Sequence, residues 1–112
     1  MRDNQVYLSD IIESIELIFE YISDKTEFEF SQNLLLQDAI YRRFEIIGEA
    51  TSNLSDEFKN SHSDIEWRLM KAMRNKLAHE YFGISSPTVY NTVRQFLPTL
   101  LEKLKQTNGS NT

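Results

Sequence analysis

The sequence predicts an all-α fold, a bundle of four main helices joined by short links, on three observations. Apolar residues recur at steps of three and four through four long segments. Only 3 glycines and 2 prolines punctuate 112 residues, too few for a turn-rich sandwich or barrel. No segment gives a strand signal of comparable strength, and there is no internal repeat.

The first helix follows from Leu8, Ile11, Ile12, Ile15, Ile18, Phe19 and Ile22, which trace one face. Glu13, Glu16, Glu20 and Asp24 lie opposite. That acidic run is read as a solvated helix face, with a basic partner surface as the alternative. A polar stretch from Lys25 to Glu29 breaks the pattern, and Ser31 is an N-cap for a second helix ending near Leu54. Its apolar face includes Leu36, Ile40, Phe44 and Ile47. Gly48 inside it costs about 1 kcal/mol relative to alanine and marks close packing against a neighbour.

A connection follows, with one short helical turn at Ser55 to Lys59. Ser63-Asp64-Ile65-Glu66 has capping-box spacing and starts the third helix. Trp67, Met70, Arg74, Leu77, Ala78 and Tyr81 continue it, and Gly83 stops it. Ser86-Pro87 opens the fourth helix, with proline at the first position, where its missing N–H costs nothing. Its stripe is Val89, Val93, Phe96, Leu97, Leu100 and Leu104. Pro98 cannot donate toward Arg94, which predicts a kink there.

Composition bounds the function. At 40% hydrophobic and 26% charged, the chain holds enough apolar surface for one core. We delimit a single domain over residues 1–106 and a polar, disordered tail over 107–112. The absence of cysteine removes disulfides, thiolate nucleophiles and Cys-based metal sites. Met1-Arg2-Asp3-Asn4-Gln5 does not lead into an apolar run, and charges interrupt the chain elsewhere. The expectation is therefore no signal peptide, no membrane span and a cytoplasmic protein. Net charge is −5. Residues 1–29 hold eight acids against Arg2 and Lys25, while the remainder is close to balanced. Such a protein does not coat nucleic acid nonspecifically, although a selective RNA-processing cleft stays open.

The densest chemistry lies in residues 68–81, with four cations, His79 and Tyr81. Arg74 and Tyr81 are seven residues apart, about 20° offset on an ideal helix, and share a face with Trp67 and Met70. An arginine on an apolar stripe calls for a carboxylate, and Glu49 or Asp10 is the candidate partner. His79 sits five residues beyond Arg74, about 140° round an ideal helix. The two converge by distortion of the helix end, by the reach of the arginine, or across a dimer axis. His62, in a polar linker, is read as an ordinary exposed residue. Histidine moves protons near neutral pH and arginine grips phosphate oxygens, a combination suited to cutting RNA through its own 2′-hydroxyl.

Arg74-Asn75-Lys76-Leu77-Ala78-His79-Glu80-Tyr81 has the form R-N-x-x-x-H-x-Y. It resembles the signature of the HEPN superfamily, specifically the HepT-like toxins. Three further segments fall in the family's order: residues 7–15, 43–50 and 81–84. The resemblance covers about residues 6 to 101. It differs where many relatives carry prolines at the positions of Ser63 and Glu66.

The resemblance implies a HEPN-type up-and-down bundle, a homodimer and a metal-independent endoribonuclease that needs no cofactor and leaves a 2′,3′-cyclic phosphate. Arg74 and His79 would be catalytic and Asn75 supporting, with RNA, transfer or messenger, as substrate. It further implies a type VII toxin–antitoxin pair in which an MntA-like minimal nucleotidyltransferase antitoxin places AMP on Tyr81. The alternative is a non-catalytic HEPN module that binds such a nucleotidyltransferase and presents nucleotide or RNA to it.

Overall fold

The apolar stripes meet as their spacing predicts. The structure, a computed structural model, describes residues 3–79 and 86–110, and describes the backbone alone at 73, 75–79, 86 and 108–110. Helix α1 runs Asn4–Ile22, with Asp3 accepting the Gln5 N–H at its start. Leu8, Ile11, Ile15, Ile18 and Ile22 are wholly buried, each contributing about 1.5–3 kcal/mol of transfer free energy. Glu13, Glu16, Glu20 and Asp24 are exposed, as a solvated face requires. Glu16 meets Lys105 at 3.0 Å on the surface, a pair worth at most about 1 kcal/mol.

The first departure is a short helix, α2, over Glu27–Ser31, where the polar stretch was expected only to break the pattern. Thr26 and Glu29 form a reciprocal capping box there. The turn it starts buries Phe30. Ser31 therefore ends α2 rather than capping the next helix. The cap of α3, Leu34–Asn53, is Asn33, whose side chain accepts the Leu36 N–H at 3.0 Å. The predicted face of Leu36, Ile40, Phe44 and Ile47 is buried.

Helix α4, Asp56–Ser61, matches the expected turn and is capped by Ser55. Helix α5, Trp67–His79, starts later than the Ser63-to-Glu66 spacing predicts. Its entry is set by Trp67, whose indole N–H donates to the carbonyls of Lys59 and His62 at 3.2 and 3.1 Å. Residues 62–64 form a turn, and Ile65 is buried just before the helix starts. His62 is half-buried, not exposed: its ring lies 4.6 Å from that of Phe58, and Nδ1 stands 3.0 Å from the Phe58 carbonyl oxygen. Gly83, the expected stop, lies outside the described residues.

The fourth predicted helix divides into α6, Ser86–Asn91, a π-helical turn over Thr92–Phe96, and α7, Leu97–Ser110. The distortion expected near Pro98 takes the form of a π-helical turn that encloses Arg94. Pro98 has no N–H for the Arg94 carbonyl, and the Leu97 N–H reaches back five residues to Thr92. Val89, Val93, Leu97, Leu100 and Leu104 are buried, with Phe96 half-buried. The helix continues past residue 106, where the tail was expected to begin; Thr107 is buried and donates to the Lys103 carbonyl at 3.0 Å. Arg94 closes the end of α1 by donating to the carbonyls of Ser23 and Lys25, and the Tyr90 hydroxyl also donates to Lys25.

The main packing is α1 on α3 and α3 on α5. Gly48, buried in α3, is a point of close approach to α5: a Cβ there would overlap Cβ and Cγ of Arg74. The stem of Arg74 thus fills the space that a side chain at position 48 would need. Gly48→Ala is expected to destabilise the chain by about 1–3 kcal/mol through overpacking, read from the urea midpoint. Adding Arg74→Ala removes Cγ and Cδ but keeps the Cβ that a methyl at 48 meets first, so it should recover only part of that loss, a coupling that independent sites would not show.

Hydrogen bonds from the Thr26 backbone N–H, and then from its side chain, hold the Glu29 carboxyl below its ordinary value of 4.5. The folded state therefore favours the charged form. Its stabilising effect is complete above the ordinary value and disappears as pH falls through the folded one. Glu29→Gln should flatten this part of the stability curve, measured as urea midpoints between pH 3 and 6. Parallel curves for the two proteins would refute the linkage.

Candidate functional site

Three elements build the candidate site. Helix α5 carries Arg74, Asn75 and His79 in one continuous run. Helix α3 supplies Gly48 and Glu49, and α1 supplies Asp10. Trp67 and Met70, on the same stripe as Arg74, are buried against the core and fix the rotation of α5. Arg74 is consequently held half-buried at the α3–α5 crossing, with its Nε buried. An arginine stem lying across a glycine is restrained along most of its length, so less freedom remains to be lost when the guanidinium binds an anion.

Asp10 and Glu49, the candidate partners, are brought together although 39 positions separate them in the sequence. They line one open pocket of about 210 Å³ with Tyr7, Ile46, Ala50 and Asn53. Asp10 is half-buried and Glu49 exposed. Glu49 follows Gly48 directly, so this pocket adjoins the segment of α3 on which the Arg74 stem lies. A carboxylate pair here can orient a guanidinium or balance its charge.

Asn75 and His79 are placed through the backbone of α5, one and five residues after Arg74. Tyr81 lies outside the described residues. Among the described residues, no group of three or more His, Asp or Glu side chains is placed to hold a metal ion. No helix among them is long and apolar enough to cross a membrane.

Two contributors escaped the sequence reading. Trp67 looked like one more apolar residue of a stripe, but its indole N–H ties the start of α5 to the end of α4. Arg94 entered only as the residue whose carbonyl Pro98 cannot serve, but its side chain closes the end of α1. An indole beside a polar linker was a signal for the first; nothing local signalled the second.

Comparison with known proteins gives this crossing its family. Residues 11–107 match the family described as Ribonuclease HepT-like. The "Probable ribonuclease HepT" of Thermococcus cleftensis is 40% identical, over 94% of this chain and 96% of its own. A Methanocaldococcus jannaschii protein named "Gamma-glutamylcyclotransferase and putative RNase" is 44% identical over 92% of this chain, which spans 46% of that longer protein. A "Putative RNase" of Caldanaerobacter subterraneus is 34% identical over 95% of both chains. No solved structure matches the chain. With the helical fold, the arginine crossing and a match over most of its length in agreement, the chain belongs to the HepT-like family of the HEPN superfamily.

Proposed function

We propose that the chain is a metal-independent endoribonuclease, the toxin of a type VII toxin–antitoxin pair, with Arg74 and His79 as its catalytic residues. The observation that carries this reading is the Arg74 stem seated against Gly48. It holds a cation at the crossing on the helix that also bears the histidine.

Cleavage then proceeds by attack of an RNA 2′-hydroxyl on the adjacent phosphorus. The P–O5′ bond breaks, giving a 2′,3′-cyclic phosphate on one fragment and a 5′-hydroxyl on the other. A base accepts the proton of the attacking hydroxyl, and an acid delivers one to the departing 5′-oxygen. His79 is suited to either role. Arg74 grips the phosphate oxygens as negative charge builds on them. One chain offers a single histidine in the motif, so a homodimer that pairs two α5 helices supplies both proton-transfer groups. Asn75 supports the site, and Asp10 and Glu49 orient Arg74.

The partner is an MntA-like nucleotidyltransferase antitoxin. In the silencing reaction the Tyr81 phenol oxygen attacks the α-phosphorus of ATP and pyrophosphate leaves. AMP on Tyr81, two residues from His79, adds bulk and negative charge where an RNA phosphate must lie.

The test is cleavage of total cellular RNA, transfer and messenger included, by purified protein in excess EDTA, with intact mass recorded to exclude AMP on Tyr81. Arg74→Ala and His79→Ala should each lower the rate by about 10²-fold or more. The new ends should be cyclic phosphates. Unmodified wild type that cuts no RNA would overturn the reading and leave a non-catalytic module that binds the nucleotidyltransferase.

A further inference from the structure

Beside the arginine crossing lies a larger surface groove, about 700 Å³, between α4 and the first half of α5. Its lining includes Lys59, Asn60, Trp67, Arg68, Leu69 and Lys71. The fold, not the sequence, puts these three cations together: Lys59 closes α4, while Arg68 and Lys71 lie one turn apart on α5. The junction between them is rigid, because the Trp67 indole donates to the Lys59 carbonyl.

The charges of this groove are unevenly committed. Its two carboxylates, Asp56 and Glu66, sit at the starts of α4 and α5, where the N-terminal N–H groups favour negative charge. Lys59, Arg68 and Lys71 form no ion pair among the described residues. Elsewhere the chain is acidic, and Glu13, Glu16 and Glu20 of α1, with Asp24 just beyond its end, face solvent. A polyanion is therefore repelled by α1 and drawn to this groove. Arg68, Lys71 and Arg74 follow one another at every third residue of α5, about 4.5 Å of rise per step. They make a slanting cationic row that leads from the groove to the crossing.

We propose that the α4–α5 groove is a substrate-binding track in which Lys59, Arg68 and Lys71 hold the phosphates of single-stranded RNA next to the bond being cut. The inference rests on the ribonuclease reading for its choice of ligand. It adds three binding residues outside the motif, and these contact the backbone without reading bases. Such contacts release counterions, and each steepens the fall of log K with log salt by about 0.7 for single-strand binding.

The test uses a fluorescent 2′-O-methyl oligonucleotide of mixed sequence, which has no free 2′-hydroxyl and so stays uncut by the wild-type protein. Affinity is measured by anisotropy between 50 and 200 mM salt. The triple variant Lys59→Gln, Arg68→Gln, Lys71→Gln should bind more weakly, with a slope smaller by about 2. Across that salt range the wild type should lose about 20-fold more affinity than the variant. Lys105→Gln, on the α1–α7 surface, and the charge-conserving Lys71→Arg should keep the wild-type slope. A triple variant with wild-type affinity and slope, folded by circular dichroism, would overturn the proposal. The EDTA cleavage assay separates the two readings. A wild type that cuts while the triple variant binds normally removes the groove alone; a wild type that does not cut, with a slope that falls as expected, removes the nuclease and leaves an RNA-binding groove.

Discussion

An arginine with its aliphatic stem laid against a glycine is the constraint around which this chain is arranged. Helices normally approach through interlocking side chains that hold their axes apart. At Gly48 one side of that interlock is missing, and the Arg74 stem occupies the gap. The crossing thereby accommodates a charged residue that an ordinary apolar interface would reject. Helix α1 reinforces the arrangement: its buried isoleucines cover α3, and Asp10 comes to the same pocket as Glu49. Changing the glycine would alter the packing of α5 before it altered any chemistry.

The long helices were legible because each has a face that must be buried and a face that cannot be. The stripes from Leu8 to Ile22 and from Val89 to Leu104 need no tertiary information to be recognised. The role of Gly48 as a close-approach residue was also legible, since a glycine deep in a helical pattern calls for a reason. Helix boundaries were not. Ser31 and Ser63 are both acceptable N-caps, and neither is used, because Phe30 and Ile65 gain more by being buried than either helix gains by an early start. The π-helical turn is the intermediate case: Pro98 announced a defect, and the structure gives it as a π-helical turn around Arg94, whose carbonyl the proline cannot serve.

The candidate site divides along the same line. Arg74, Asn75 and His79 are neighbours in sequence and could be read directly from it. Asp10 and Glu49 were named on charge alone, and only the packing of α1 on α3 places them in one pocket. The three-cation groove was invisible in the sequence, where Lys59 is one basic residue in a polar linker. It exists because the Trp67 indole joins α5 to the end of α4.

That division also bears on how an acidic chain can act on a polyanion. A net charge of −5 argues against binding RNA over the whole surface. Here many of the acids lie on the solvent face of α1 and at helix starts, whereas Lys59, Arg68 and Lys71, which form no ion pair among the described residues, line one groove on the helix that carries Arg74. Repulsion from most of the molecule and attraction to one track orient a strand instead of merely retaining it. The overall charge then serves selectivity: a chain with the same groove on a basic background would gain affinity everywhere and lose the preference for the one path that leads to Arg74.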